Sequence, residues 1–162
     1  MAKYLVFSDS HGRNEKMLRV IARYKEEIAG LFFLGDIESG EDRLRASIQG
    51  PTYIVRGNCD YFCQAPDFQV VKLHGRRIAM THGHKQHVNM GIDMLKYWAM
   101  SKEADVVMFG HTHVPFREQT SALTVVNPGS ISRPRQEGHI PTYAVIDFQD
   151  NGEIRVELCE EP

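Results

Sequence analysis

Five short apolar runs in this chain each lead into a turn that carries side chains able to bind metal ions. Each run has the length of a β-strand, and a glycine or a serine lies in the turn that follows it. The polar residues in these turns are Asp9 and His11, Asp36, Asn58, His82 and His84, and His111 and His113. If the runs form neighbouring strands, their ends bring carboxylates, an amide and at least four imidazoles to one place.

Carboxylate, amide and imidazole groups offer oxygen and nitrogen ligands without any thiolate. This set suits Mn²⁺, Fe or Zn²⁺ and is rich in imidazole for a typical Mg²⁺ or Ca²⁺ site. Residues spaced i and i+2 along a strand lie on one side, so Asp9 with His11, and His111 with His113, can each reach one ion. Asp36 takes the central position in this prediction, because its two carboxylate oxygens can bridge two ions.

Taken one at a time, these residues have an ordinary explanation as capping or turn residues, since Asp and Asn commonly follow strands. A single D-x-H or H-x-H pair is a weak signal on its own. Five such segments in order, each at the end of an apolar run, favour a metal site over five separate turns.

The bulk composition is that of one globular domain, residues 1–162, which is long enough to bury a core. A formal net charge of −2 argues against a protein that holds long nucleic acid by bulk charge. The sequence contains no apolar run long enough to span a membrane, and its start has no signal-peptide pattern. Three cysteines are too few for a disulfide scaffold, so we expect a cytoplasmic protein.

The first third of the chain alternates strands and helices, as parallel α/β proteins do. Apolar strands are expected at residues 3–8, 31–34 and 52–55. A helix capped by Asn14 is expected to run to about Ile28 and to end at Gly30, and a shorter helix covers residues 41–48.

The remainder predicts a hairpin, one further helix and a series of strands. The hairpin joins residues 68–73 to 77–80 through His74-Gly75-Arg76, and the helix covers residues 89–102. Its Met90, Met94, Trp98 and Met100 are expected in the core or in a subunit contact. Strands follow at residues 106–109, 115–119, 122–126, 142–148 and 153–159. The fold class expected is α/β, a four-layer α/β/β/α sandwich of two mixed β-sheets flanked by helices, with ligands bound beyond the carboxyl ends of the strands.

The ordered motifs resemble those of the calcineurin-like metallophosphoesterase superfamily. They are D-x-H, G-D, G-N-x-D, G-H and G-H-x-H, in that order. The chain length and the form G-N-C-D resemble its small YfcE-like branch of phosphodiesterases, whose fold the retromer small subunit shares. The resemblance implies that one ion is held by Asp9, His11 and His113, that a second is held by Asn58, His82 and His111, and that Asp36 bridges the two.

The resemblance also implies two divalent ions, with Mn²⁺ as the first choice and Fe, Zn, Ni or Mg as alternatives. A small phosphodiester would then be hydrolysed by a hydroxide that bridges the ions, without a protein nucleophile. Asp36 and Asn58 are the central catalytic ligands, and Asp60 is expected to orient a His or Asn ligand. Many superfamily members carry His where this chain has Cys59. His84 is therefore the candidate proton donor to the leaving group.

Basic residues near the motifs are candidates for contacts with the substrate phosphate. Arg133 and Arg135 follow the turn Asn127-Pro128-Gly129-Ser130, which in the family runs close to the site, and a guanidinium can bind phosphate through two hydrogen bonds. Arg13 follows the first motif and could do the same, or could be a surface residue. Cys59 is included with them as a tentative substrate contact.

Three alternatives to a phosphodiesterase stay open from the sequence. The same site would suit a phosphomonoesterase or nucleotidase. The fold also serves as a protein-binding scaffold of the retromer-small-subunit type, although the complete ligand set favours an enzyme. A nuclease acting on long nucleic acid is disfavoured by the absence of a basic excess. A homodimer or homotetramer is possible, because edge strands and the methionine-rich helix offer surfaces for a second copy.

Overall fold

Buried apolar residues at consecutive strand positions place two β-sheets in the interior of the protein. The computed structural model describes residues 1–162. In chain order the elements are β1 (Ala2–Phe7), α1 (Glu15–Tyr24), β2 (Ile28–Phe33), α2 (Glu41–Ala46), β3 (Thr52–Ile54), β4 (Phe68–Leu73), β5 (Arg76–Thr81), α3 (Asp93–Ser101), β6 (Val106–Met108), β7 (Phe116–Gln119), β8 (Thr124–Asn127), β9 (Thr142–Phe148) and β10 (Ile154–Glu160). None of the helices is long and apolar enough to cross a membrane.

Both sheets have five strands and mix parallel with antiparallel pairs. The first has the order β10-β9-β1-β2-β3, with β1, β2 and β3 parallel. The second has the order β4-β5-β6-β8-β7, with β5, β6 and β8 parallel. The carboxyl ends of β1, β2 and β3 and those of β5 and β6 lead into the five polar turns.

The side-chain alternation of β1 shows how the layers stack. Tyr4 and Val6 pack with residues of the second sheet, such as Met80. Leu5 and Phe7 face the other way and share a cluster with buried residues of α1 and α2. On the far side of the second sheet, α3 packs through Leu95 and Ala99. The four-layer α/β/β/α sandwich predicted from the sequence is confirmed.

The first helix is shorter than predicted, because the second strand takes up its expected last turn. Helix α1 ends at Tyr24, and Ile28 already pairs with Lys3 in the parallel ladder. Gly30 therefore lies inside β2, where a Cβ atom would stand 2.7 Å from the carbonyl oxygen of Pro51. The Asn14 side chain does not cap the helix but donates to the carbonyl of Ser39 at 2.9 Å.

The third helix also starts later than predicted, because two 3₁₀ turns precede it, at His84–Gln86 and Val88–Met90. The prediction that the methionines could belong to the core is wrong. Met90, Met94 and Met100 are 89%, 56% and 67% exposed, and Tyr97 is exposed with them. Trp98 does pack partly against the core.

An ion pair fastens the segment after β10 to α1. Glu161 is buried and accepts two hydrogen bonds from the Arg23 guanidinium, at 3.1 and 2.5 Å. This contact with Arg23 holds the pKa of Glu161 below its usual value of 4.5. Because the pKa is lower in the folded state, the pair stabilises the fold above the usual value, and the contribution is lost as the pH falls through the folded-state pKa.

Glu161→Gln is therefore expected to lower the free energy of unfolding by about 1 kcal/mol at neutral pH, since Arg23 is half exposed and screened by water. The difference from the wild type should shrink below about pH 4. Urea unfolding at both pH values measures it. Glu160→Gln, at an exposed neighbour, is the control, and an equal loss in the control would contradict the assignment.

Candidate functional site

The two sheets bring the five polar turns to one cleft between their carboxyl ends. A first donor group contains the Asp9 carboxylate and the Nε2 atoms of His11 and His113. The two Nε2 atoms lie 3.2 Å apart, and that of His113 is 3.3 Å from Asp9 Oδ1. These three residues could hold one ion.

A second donor group adjoins the first through Asp36. His82 Nε2 lies 3.2 Å from Asp36 Oδ2 and 3.2 Å from His111 Nδ1, which in turn is 3.1 Å from Asn58 Oδ1. Asp36 Oδ2 is also 3.8 Å from His11 Nε2 in the first group. The structure thus brings together all seven residues that the sequence nominated as ligands, with Asp36 between two sets.

The protonation pattern of the imidazoles fits a cation in the cleft. Nδ1 of His82 donates to the carbonyl of Leu34 at 2.7 Å, and Nδ1 of His113 donates to the carbonyl of Arg133 at 2.7 Å. When these rings are neutral, each therefore turns a lone pair on Nε2 towards the cleft. Asp9 Oδ1 is buried there without any hydrogen-bond partner.

The distances between the possible ligand atoms also fit cations bound in the cleft. Ligand atoms at about 2.1 Å from one ion lie roughly 3.0 to 3.4 Å from each other in octahedral or tetrahedral geometry. The contacts of 3.1 to 3.3 Å within the two groups match that spacing. The donor set suits borderline divalent ions with nitrogen and oxygen ligands.

Electrostatics in the cleft favours an ionised Asp36 carboxylate. Burial opposes the charge on Asp36, but the His82 ring and the backbone N–H of Cys59 hold the pKa of Asp36 well below its usual range. Burial likewise works against a charged His82, yet Asp36 and Asp9 raise its pKa. Burial and the neighbouring His82 lower the pKa of His111. Asp36 is thus ready to act as a ligand at neutral pH.

The backbone of the site is held in a conformation that side chains rarely adopt. Five of the seven nominated residues have positive φ angles, namely Asp9 (55°), His11 (48°), Asp36 (61°), His111 (71°) and His113 (60°). Each such residue costs of the order of 1 to 3 kcal/mol and persists only where surrounding contacts impose it. Strain of this kind is concentrated at functional sites.

Hydrogen bonds between the turns impose this conformation. The N–H groups of Asp9 and His11 donate to the carbonyls of Gly35 and Asp36, at 3.0 and 2.9 Å. The N–H of His111 donates to Asp9 Oδ2 at 3.0 Å. Gly57 is needed beside them, because a Cβ atom there would collide with Asp36.

Asp60 acts differently from the prediction. Its carboxylate contacts no His or Asn side chain. It accepts hydrogen bonds from the N–H groups of Asp36 at 2.7 Å, Gly57 at 2.9 Å and Glu38 at 2.7 Å. Asp60 therefore fixes the backbone that carries Asp36, because a carboxylate is the one short side chain with enough acceptor sites for three donors.

The predicted proton donor, His84, lies at the second group, whereas Cys59 lies beside Asp36. The His84 ring is centred 5.4 Å from that of His82, and its Nδ1 is buried without a partner. Burial and the nearby His82 lower the pKa of His84. Burial and the Asp36 carboxylate raise the pKa of the Cys59 thiol to about 11. The Cys59 sulfur lies within 4.8 Å of possible ligand atoms of His11 and Asp36, so these three residues could also share an ion. The donor role of His84 stays a prediction.

The arginines nominated for substrate binding are exposed. The backbones of Arg133 and Arg135 hold His113 in place. The Arg133 carbonyl accepts a hydrogen bond from the His113 ring, and the N–H of Arg135 donates to the His113 carbonyl at 2.9 Å. Their guanidinium groups and that of Arg13 make no hydrogen bond or ion pair within the protein and are accessible to a ligand. Their role in binding stays a prediction.

Several supporting groups escaped the sequence reading. The Asn89 amide lies 3.0 Å from His111 Nε2, and Ser8 Oγ donates to Asp9 Oδ2 at 2.6 Å. Ser130 Oγ donates to the carbonyl of Asp9 at 2.7 Å. Ser8 and Ser130 stand next to motifs identified in the sequence, so their positions could have indicated a role at the site. The local sequence around Asn89 contains no such signal.

The sequence of the chain matches a known protein family. A family model described as the calcineurin-like phosphoesterase superfamily domain matches residues 2–151. The chain is 31% identical to the probable metallophosphoesterase YsnB of Bacillus subtilis, over 91% of this chain and 85% of the relative. It is 30% identical to the phosphodiesterase YfcE of Escherichia coli, over 91% of this chain and 88% of that one.

Solved structures with the same fold include both a bacterial and a eukaryotic protein. A conserved uncharacterized protein of Streptococcus pneumoniae, described as a predicted phosphoesterase, is 32% identical with a TM-score of 0.84, and the match covers 99% of this chain and 91% of that one. A Vps29 double mutant from Entamoeba histolytica has a TM-score of 0.79 and covers 98% of both chains. At 18% identity, the Vps29 likeness establishes the fold alone.

Asp60→Asn tests the part assigned to this carboxylate. The amide offers one oxygen and turns an NH₂ group towards a backbone donor, so we expect a loss of about 2 kcal/mol in the free energy of unfolding and weaker binding of Mn²⁺. Thermal unfolding in chelator and calorimetric titration with Mn²⁺ measure the two effects. Asp42→Asn, on the exposed face of α2, is the matched control, and unchanged Mn²⁺ affinity in Asp60→Asn would sink the assignment.

Proposed function

Because the chain belongs to the calcineurin-like phosphoesterase superfamily and carries two adjoining donor groups, we propose that it is a phosphodiesterase that uses two divalent ions. The observation that carries the proposal is the position of Asp36 Oδ2, 3.2 Å from His82 Nε2 and 3.8 Å from His11 Nε2. The name of the relative YfcE supports a phosphodiester as substrate. Mn²⁺ is the first choice of ion, with Fe, Zn, Ni or Mg as alternatives.

In the proposal each donor group holds one ion and Asp36 is shared. The first ion is held by Asp9, His11 and His113, and the second by Asn58, His82 and His111. When bound, such ions supply Lewis-acid polarisation of the phosphate and an activated water. The donor set contains only two carboxylates against two divalent cations. The surplus positive charge attracts an anionic phosphate ester.

In this scheme the protein's own residues orient the ligand side chains, protonate the leaving group and bind the phosphate. The Leu34 carbonyl fixes the orientation of the His82 ring, and the Arg133 carbonyl fixes that of the His113 ring. Each ring therefore presents Nε2 to the cleft in a single orientation. His84, at the edge of the second group, is the proposed proton donor to the leaving oxygen. Because burial and His82 lower its pKa, only its minor protonated fraction at neutral pH can donate. The exposed guanidinium groups of Arg133 and Arg135 bind the non-reacting phosphate oxygens.

Location and assembly are further parts of the proposal. All three cysteines are free thiols, which supports a cytoplasmic setting. The exposed Met90, Met94, Tyr97 and Met100 support a contact with a second copy. The scaffold alternative has the fold likeness to Vps29 in its favour, but it gives no reason for a buried carboxylate oxygen without a partner beside three imidazoles.

Hydrolysis by metal-stripped protein tests the function. Mn²⁺, Mg²⁺ and Zn²⁺ are added back separately, with bis(p-nitrophenyl) phosphate as the diester and p-nitrophenyl phosphate as the monoester. Asp36→Ala removes the shared carboxylate, so we expect a loss of at least about 10³-fold in kcat, and Asn58→Ala should lose about 10²-fold. Asp42→Ala is the control.

Two outcomes would replace the proposal. Turnover of the monoester without the diester would indicate a phosphomonoesterase on the same site. No turnover of either ester, while calorimetry still detects bound Mn²⁺, would favour the protein-binding scaffold.

A further inference from the structure

A cavity of about 340 Å³ opens beside the second donor group. This volume suits a small ligand, since binding pockets generally hold about 300 to 1,000 Å³. Its lining includes Arg56, Asn58, Asp60, Tyr61, Asp67, His84 and Lys85. Asn58 and His84 connect it to the proposed reaction centre, so a group in this cavity would be joined to the reacting phosphate.

The cavity carries two cations that one carboxylate holds in place. Asp67 Oδ1 accepts from the Arg56 guanidinium at 2.8 and 3.2 Å, and Asp67 Oδ2 accepts from Lys85 Nζ at 2.7 Å. These contacts hold the pKa of Asp67 below its usual value, so the carboxylate is ionised. The lining contains a second carboxylate, Asp60, but this side chain is buried and accepts hydrogen bonds from three backbone N–H groups. The exposed charged groups of the cavity are therefore two cations and one anion, with a sum of one positive charge.

An aromatic side chain stands at the same cavity. Tyr61 is 83% exposed, so its ring is accessible to a ligand in the cavity. It directly follows Asp60, whose carboxylate is anchored by three backbone N–H groups, so the ring is attached to a rigid point. An exposed ring beside a cationic site is the arrangement on which nucleobases stack in proteins that bind single nucleotides or single strands.

We propose that this cavity binds one ester arm of the substrate, and that this arm is a nucleotide. The base stacks on Tyr61, and a second phosphate of the arm binds Lys85 and Arg56. The inference rests on the proposed phosphodiesterase function and narrows its substrate class. A nucleotide arm needs both an aromatic surface and a positive charge close to the reacting phosphate, and this cavity offers both next to Asn58.

Three chromogenic diesters separate the contributions of the arm. They are methyl p-nitrophenyl phosphate, thymidine 5′-(p-nitrophenyl phosphate), and the same thymidine ester with a 3′-phosphate. In the wild type with Mn²⁺, thymidine should raise kcat/KM over methyl, and the 3′-phosphate should raise it further by about five- to tenfold, mainly through KM.

Variants assign each advantage to a side chain. Lys85→Ala and Arg56→Ala should reduce the advantage of the 3′-phosphate to about twofold or less. Tyr61→Ala should reduce the preference for thymidine over methyl, and Tyr61→Phe should restore it, because stacking needs the ring rather than the hydroxyl. Lys72→Ala removes an exposed cation on β4 and should keep both preferences.

A binding measurement keeps the inference testable without turnover. Calorimetric titration with thymidine 3′,5′-bisphosphate and thymidine 5′-phosphate should show tighter binding of the bisphosphate, and Lys85→Ala should abolish the difference. Equal binding of the two nucleotides, or an undiminished preference in Lys85→Ala, overturns the nucleotide arm. Failure of the wild type to hydrolyse even the methyl ester would instead overturn the phosphodiesterase itself, and the titration would still decide whether the cavity binds nucleotides.

Discussion

The constraint on which the site depends is that imidazole nitrogens and carboxylate oxygens converge in one buried cleft, where shared protons or bound cations must offset the repulsion of their lone pairs. His11, His82 and His113 turn nitrogen atoms towards Asp9 and the ionised Asp36 in a cleft closed to water on most sides. The protein holds these atoms from outside, through the carbonyls of Leu34 and Arg133. Such an arrangement is stable when a cation occupies the centre, since a divalent charge turns the repulsion into coordination.

Holding the donors in place has a cost that the rest of the fold offsets. Left-handed backbone at Asp9, His11, Asp36, His111 and His113 is unfavourable in any isolated peptide. Here the turns are fastened to each other, to the Asp60 carboxylate and to the ends of fully buried strands. The two five-stranded sheets supply the rigid frame, because their shared core leaves the strand ends little freedom to move.

The likeness to both Vps29 structures and phosphoesterases shows that the fold alone does not specify a function, whereas the residues of the site can indicate one. Both kinds of protein share the layered sheets, so the architecture alone does not decide between enzyme and scaffold. The complete donor set and the cavity that opens beside Asn58 are local features of this chain. They make a hydrolytic function the better explanation. The charged residues Arg56, Asp67 and Lys85 line the same cavity.

The sequence by itself determined the layered α/β class and the positions of most strands along the chain, and it nominated seven ligand residues that the structure brings together, because apolar run length and turn chemistry are encoded locally. It placed the end of α1 too late, and it left open whether the methionines near α3 lie in the core or at the surface, since strand pairing and exposure depend on distant residues. Only the tertiary structure decided that β9 lies beside β1, that Asp60 binds backbone rather than a ligand side chain, and that Asn89 reaches His111. These contacts join residues far apart in the chain, and no local pattern specifies which atoms a folded backbone will bring together.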